Sequence, residues 1–257
     1  MLLAVDLGNT HIVIGVFEGK GLCCEWRIST YPQKTSDEYA AIMSELFRGQ
    51  GISLSMINKA ILSSVVPHIT GEIVNYIKLY LEIEPIIVDG NSDTGIEVAI
   101  DDPSEVGSDR IVNAVAAVEQ FGAPLIVVDF GTATTFDVIS ADKRYLGGAI
   151  APGINLSMDA LVSKTAKLPR IEVKAPPSVI GTNTVTAMQS GLFYGYIGLV
   201  DGIIERMIGE IDGRVEVIAT GGLATLISSS SRFISKVSPS LTLNGLRIIY
   251  DRRDRAT

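Results

Sequence analysis

An α/β fold built from two copies of one βββαβα unit is what this sequence predicts, and three observations predict it. The first is a repeat. Leu2 to Phe17 (LLAVDLGNTHIVIGVF) runs apolar, drops Asp6 and Gly8 into a polar turn with Asn9 and Thr10, and resumes as an apolar run. Leu125 to Ile139 (LIVVDFGTATTFDVI) does the same around Asp129 and Gly131, with Thr132, Thr134 and Thr135 in the turn. Two copies of V-D-x-G followed by a hydroxyl-bearing turn, one in each half, indicate an internal duplication. The second observation is that each copy leads into a third strand-like run and then into helical patterns alternating with short apolar runs. The third is length: 257 residues divide into two units of ordinary domain size. The boundaries expected are 1–115 and 116–257, with a cleft between the two halves.

Taken in order, the first hairpin is followed by LCCEWRIST (Leu22 to Thr30), a third strand completing an antiparallel meander. A helix begins at Ser36, with Asp37 and Glu38 in its first turn and Tyr39, Ile42, Met43 and Leu46 on one face, and closes near Gly49 and Gly51. Ala60 to Val66 is an apolar strand stopped by Pro67. Ile69, Ile73, Ile77 and Leu81 then mark a second amphipathic helix, before a short strand at Ile86 to Val88. Gly90 to Asp102 reads as a loop with one edge strand. Pro103 to Gly122 holds an Ala- and Val-rich helix, preceded by EVGSDR.

The second half repeats the order. After its hairpin come a strand from Arg144 to Ala151, a helix from about Asn155 to Val162, and a basic, proline-bearing connection from Lys164 to Pro177. Lys164, Lys167 and Lys174 there suit either a lid over a nucleotide or a plain solvated connection. A long helix over Asn183 to Gly209 places Gly191, Gly195 and Gly198 near one face, where small residues permit close packing. A strand at Val215 to Thr220, a helix from Leu223 to Ser229, and a final strand in LTLNGLRIIY complete the reading.

Composition narrows the function. A net charge of −8 argues against a large nucleic-acid footprint, and 47% hydrophobic residues supply ample core. The two cysteines, Cys23 and Cys24, are adjacent in a strand and make no disulfide framework. The two histidines, His11 and His68, are too few for most zinc sites. No signal peptide and no run long enough to span a membrane is present, so a soluble, cytoplasmic chain without nucleic-acid or membrane partners is expected.

The two acidic turns carry the chemistry. Turn N–H groups, the Asn9 amide and the Thr10 hydroxyl are donors suited to an anion, while Asp6 would repel one unless a cation lay between them. A hairpin with an Asp in its turn is also ordinary turn chemistry, and the second copy is what favours a phosphate site. With TGGLA (Thr220 to Ala224) before a late helix, the plan resembles the actin, hexokinase and heat-shock ATPase superfamily, whose halves are ribonuclease-H-like. Six stretches in order narrow it further: DLGNT (Asp6 to Thr10), PSEVGSDR (Pro103 to Arg110), DFGTATT (Asp129 to Thr135), GGAIAPG (Gly147 to Gly153), NTVTAMQSG (Asn183 to Gly191) and TGGLA. On these the chain is similar to the type III pantothenate kinases.

That resemblance implies ATP-dependent phosphorylation of pantothenate to 4'-phosphopantothenate, the first step of coenzyme A synthesis, by a homodimer. It implies ATP contacts from Asp6, Leu7, Gly8, Asn9, Thr10, His11, Ile12 and Val13, with Mg²⁺ near Asp6, and phosphate contacts from Gly131 and Thr132. It places a monovalent cation, K⁺ or NH₄⁺, at Asp129. It places pantothenate against Ile100, Gly107, Ser108, Asp109, Arg110 and Thr184, with Asp109 as the general base. Ile100 departs from the family, which often has an aromatic residue there, and this bears on substrate packing. In isolation Asp109 would be read as a favourable charge at a helix start, Arg110 as a surface ion-pair member and Thr184 as an N-cap. The competing readings are another small-molecule kinase of the superfamily and a non-catalytic nucleotide-binding accessory protein connected with transcription.

Overall fold

A computed structural model describes residues 1–256 of the chain. By the density of its internal contacts the chain forms two units, one from Met1 to Ala116 together with the segment from Ser240 onward, the other from Ala117 to Pro239. The expected boundary at 115/116 therefore lies one residue away. The tail, expected in the second half, belongs to the first.

The first unit holds a five-stranded sheet. Strand β1 (Leu2–Leu7) is central and buried almost throughout, as its continuous apolar run requires. It pairs antiparallel with β2 (His11–Glu18), which pairs antiparallel with β3 (Gly21–Ser29). On its other side β1 pairs parallel with β4 (Lys59–Ser64), which pairs parallel with β5 (Ile86–Val88). The order is β3-β2-β1-β4-β5. Edge strand β3 alternates half-buried and exposed side chains, the period-two signature of a strand with one covered face.

Helix α1 (Ser36–Arg48) starts from a capping box: Glu38 N–H donates to Thr35 Oγ1 at 3.4 Å and Thr35 N–H to Glu38 Oε2 at 2.8 Å. It buries Tyr39, Ala40, Met43 and Phe47. Helix α2 (Pro67–Leu81) takes Pro67 at its first position and buries Ile69, Ile73, Ile77 and Leu81, the face the spacing predicted. A two-residue strand β6 (Glu97–Val98) interrupts the following loop, and helix α3 (Ser108–Phe121) is buried all round over Ile111 to Val118.

The second unit repeats the topology. Strands β7 (Leu125–Phe130), β8 (Ala133–Ile139) and β9 (Arg144–Pro152) form the antiparallel meander, and β10 (Glu216–Gly221) and β11 (Lys236–Val237) add parallel to β7. Read outward from β9 the order is β9-β8-β7-β10-β11, the same as in the first sheet. Helices α4 (Ile154–Ser163), α5 (Thr184–Ile208) and α6 (Ala224–Ser228) complete it, and Phe193, Tyr196, Ile197, Val200 and Ile204 of α5 share a core with Ile126, Val128 and Phe130.

The tail is the main correction. Residues expected as a strand form helix α7 (Leu241–Ala256), which lies on β1, β2 and β4 and thereby joins the first unit. Leu241 and Leu243 are both buried, which imitates strand alternation, and Asn244-Gly245 imitates a turn. Gly245 has another purpose: a Cβ there would stand 2.1 Å from the Val112 carbonyl of α3, so its absence lets the two helices cross closely. Thr242 Oγ1 donates to Asn113 Oδ1 at 2.7 Å across the same crossing.

Candidate active site

In the first unit the acidic turn is stapled from both sides. Gly8 N–H donates to His11 O at 3.0 Å, Thr30 Oγ1 to Gly8 O at 2.7 Å, and Thr30 N–H to Thr10 O at 3.0 Å. Gly8 is not at positive φ. Room is what glycine provides there, because a Cβ would meet the His11 carbonyl at 2.9 Å. Asn9, Thr10 and His11 are exposed on the turn, whereas Leu7 and Ile12, 1% and 0% exposed, send their side chains into the core. Of the eight-residue span read as contacting ATP, these two have only main chain to offer.

Asp6 lies opposite Val13 on β2 and opposite Ser63 on β4, and Ser63 Oγ donates to its Oδ1 at 2.8 Å. The next residue, Ser64, is held by Ser108 at the start of α3: Ser64 N–H donates to Ser108 Oγ at 3.0 Å and Ser108 Oγ to Ser64 O at 3.1 Å. Asp109 follows. The structure thus brings Asp6 and Asp109 to the same strand ends through one serine pair.

The Asp109 carboxylate folds back over the helix start, its Oδ1 accepting from Arg110 N–H at 2.9 Å. A Cβ at Gly107 would lie 2.5 Å from that oxygen, and Gly107 O accepts the first helical bonds from Arg110 and Ile111. Asp109 and Arg110 are half-buried, as is Ile100, which sits in a bend of the preceding loop. The Ser108 hydroxyl, 4% exposed, is turned toward β4.

In the second unit Asp129 stands opposite Thr135 on β8 and Thr220 on β10. Two glycine turns bracket its carboxylate. Gly131 N–H donates to Ala133 O at 3.1 Å, and a Cβ on Gly131 would lie 4.0 Å from Asp129 Oδ1. Gly221, at φ 89°, comes closer: its Cβ would fall 2.6 Å from both Asp129 Oδ1 and the Phe130 carbonyl oxygen. Gly153 packs against the same turn, donating to Thr132 O at 3.1 Å, and a Cβ there would stand 2.3 Å from that oxygen. Gly131 and Thr132 are exposed.

Thr184 lies on the wall of an open, mostly apolar cavity of about 590 Å³, with Leu161, Leu168, Ala187, Met188, Gly191 and Leu192. It is not the cap of α5. Asn183 caps the helix, accepting from Thr186 N–H at 3.0 Å, which leaves Thr184 at the first helical position. The connection before α5 carries exposed ion pairs, Lys174 with Glu172 and Arg170 with Asp159, each at 2.8 Å. Such pairs mark a solvated face.

Sequence reasoning missed Ser63, Ser64 and Gly221 as parts of the site. Two serines ending the apolar run AILSS were the available signal, because ligands of parallel α/β sheets gather at the carboxyl ends of strands. Gly221 enters the sequence reading only within the TGGLA stretch, with no role of its own. Among the described residues no three His, Cys, Asp or Glu side chains form a metal-ligand group, and no helix is long and apolar enough to cross a membrane.

Two units whose own five strands run in the same order, each with a carboxylate before a glycine turn, define a duplicated actin-like ATPase fold. Structures of low sequence identity share it: component A of the (R)-2-hydroxyglutaryl-CoA dehydratase of Acidaminococcus fermentans (TM-score 0.57, 14% identity, 100% of this chain and 99% of that one) and the ethanolamine utilization protein EutJ of Carboxydothermus hydrogenoformans (0.57, 17%, 96% and 89%). The model of the type III pantothenate kinase family matches residues 2–206. The chain is 52% identical over 252 residues to the type III pantothenate kinase of Moorella thermoacetica, covering 98% of this chain and 99% of that one. It is 50% identical to that of Myxococcus xanthus, covering 98% of each. The chain belongs to the type III pantothenate kinase family.

Proposed function

We propose that this protein transfers the γ-phosphoryl group of ATP to the primary hydroxyl of pantothenate, giving ADP and 4'-phosphopantothenate, the entry to coenzyme A synthesis. The observation that carries this reading is the family match over most of the chain, because the fold alone hosts many chemistries. The reaction asks for positioning and charge neutralisation more than for covalent steps by the protein.

Asp109 is the residue to take the proton. With Oδ1 accepting from Arg110 N–H, the carboxylate is oriented, and it is the group to accept the hydroxyl proton as the alkoxide oxygen bonds to phosphorus and ADP departs. Arg110 is suited to the anionic substrate or to the charge that develops on it. The turn at Asn9, Thr10 and His11 in the first unit is exposed, as are Gly131 and Thr132 in the second, and each turn by itself offers donors suited to phosphate. Thr184 is a substrate contact in this reading, and Ile100 would supply aliphatic packing. Ser108 contributes main chain, since its hydroxyl is committed to Ser64.

The donor sets fit the cations the family implies. Asp6 would hold Mg²⁺ arriving with the nucleotide. At Asp129 the carboxylate lies close to the Phe130 carbonyl oxygen beside Gly221, and hard oxygen donors of this kind suit K⁺ or NH₄⁺. Bound there, these ions would neutralise phosphate charge. A homodimer is supported by α5, whose Gly191, Gly195 and Gly198 are exposed and face open space, beside exposed Ile180, Val185 and Tyr194.

A panel of acceptors with ATP tests the reading. Phosphorylation of pantothenate well above glucose, acetate and pantetheine is expected. Phosphorylation of one of those three with none of pantothenate would assign the chain to another small-molecule kinase, and no transfer to any acceptor despite ATP binding would favour the accessory-protein reading.

A further inference from the structure

Ser63 and Ser64 are neighbours at the carboxyl end of β4, an interior strand, and each is tied to a different part of the chemistry. Ser63 is fully buried and donates to Asp6 Oδ1 at 2.8 Å. Pairing between β4 and β5 stops at Ser63, and from Ser64 onward Ser108 takes over, its hydroxyl satisfying both the N–H and the C=O of Ser64. Ser64 is itself fixed on its other flank, its hydroxyl accepting from Val66 N–H at 3.0 Å and from Thr70 Oγ1 at 2.7 Å.

We propose that this serine pair registers the first unit's site. Ser63 sets the Asp6 carboxylate, and Ser64, through Ser108, sets the start of α3 and with it Asp109. The phosphate turn and the base are thereby referenced to adjacent residues of one rigid strand rather than to separate loops. Both serines and Ser108 are positioning residues, and the roles they serve rest on the function proposed above. Phosphoryl transfer gives such a device its value, because a displacement of about 1 Å at the reacting groups costs on the order of 10²-fold in rate.

Two substitutions separate the two arms, read by calorimetry of MgATP binding and by steady-state kinetics. Ser63→Ala removes the hydroxyl that donates to Asp6 Oδ1. It is expected to raise the Kd for MgATP about tenfold, the size of a lost charge-assisted hydrogen bond, with the KM for pantothenate within about twofold of wild type. Ser108→Ala is expected to leave the MgATP Kd within about twofold, lower kcat by roughly 10- to 100-fold, and raise the ADP released per phosphopantothenate formed. A residue that serves stability alone would lower Tm and leave these constants unchanged in the folded enzyme, and that result for either variant would overturn the proposal. So would the reverse assignment, with Ser108→Ala weakening nucleotide binding and Ser63→Ala slowing turnover. If Ser108→Ala does not fold, Ser108→Cys, nearly isosteric but a weaker hydrogen-bonding group, is expected to give an intermediate kcat, and a wild-type kcat would count against the proposal. Should wild-type protein bind ATP yet leave pantothenate unphosphorylated, the substrate reading fails by itself, while an unchanged MgATP Kd in Ser63→Ala still overturns the register.

Discussion

Gly221 shows how much a single missing side chain controls. At φ 89° it occupies backbone space that costs other residues about 1–3 kcal/mol, and any Cβ would press on Asp129 and on the Phe130 carbonyl. Gly221→Ala is therefore predicted to lower stability by about 2–4 kcal/mol, strain and overpacking together, and to weaken the K⁺ activation that the proposed function implies. Chemical denaturation and a K⁺ titration of activity check both, and a variant with wild-type stability and K⁺ response would contradict this picture. His11 offers a second test. Partial desolvation of its ring, and then the Arg27 charge, lower its pKa below the ordinary 6.5. The unfolded chain therefore takes up that proton first on acidification, so this group's effect on stability is absent well above pH 6.5 and becomes destabilising as the pH falls toward and through the folded value. An NMR titration of the ring protons should give a pKa below 6.5, and a value above it would reverse the sign.

At this scale the turns that carry Asp6 and Asp129 and the helix start that carries Asp109 were legible, because a carboxylate beside glycine and hydroxyl residues is a local pattern. Ser63 was not, because its role depends on a parallel register that spans 57 positions of chain.

Among the elements, α7 is where local pattern and structure part. An apolar alternation and an Asn-Gly pair are strand and turn signals, and both were overridden by burial against three strands and a close crossing with α3. Gly245→Ala makes the point measurable. Helix propensity alone predicts a gain of about 1 kcal/mol, whereas a Cβ 2.1 Å from the Val112 carbonyl predicts a loss, and the steric term is the larger. A net destabilisation of about 2 kcal/mol, seen as a fall in Tm of roughly 4–8 °C, is expected. A rise in Tm would show that the helices can separate at no cost. Where the local signals agreed with the packing, as in the Ile69, Ile73, Ile77 and Leu81 stripe of α2, sequence and structure coincide.

Across the whole molecule, duplication is the organising fact. The five strands that each unit contributes share one order, and the pairing of Asp6 with Ser63 on the parallel neighbour has its counterpart in Asp129 and Thr220. The copies diverge one residue further on, at Ser64 and Gly221. The first is a clamped anchor; the second is a point of close backbone approach. The repeat was visible in sequence because it recurs within each strand and turn, but the return of the tail to the first unit was not, since no local feature encodes which sheet a terminal helix covers. The open glycine face of α5 carries a further prediction. Gly195→Glu, placed where nothing lies within 4 Å, should leave the fold intact and give a monomer by light scattering in place of the dimer proposed above for the wild-type protein. A dimer that persists would move the interface elsewhere.

The most direct test is the rate of ATP-dependent 4'-phosphopantothenate formation by Asp109→Asn beside the wild-type protein, with ATP affinity measured in parallel. If Asp109 takes the hydroxyl proton, kcat falls by about 10²–10⁴-fold while ATP still binds. A variant that turns over pantothenate within about threefold of wild type would contradict the mechanism.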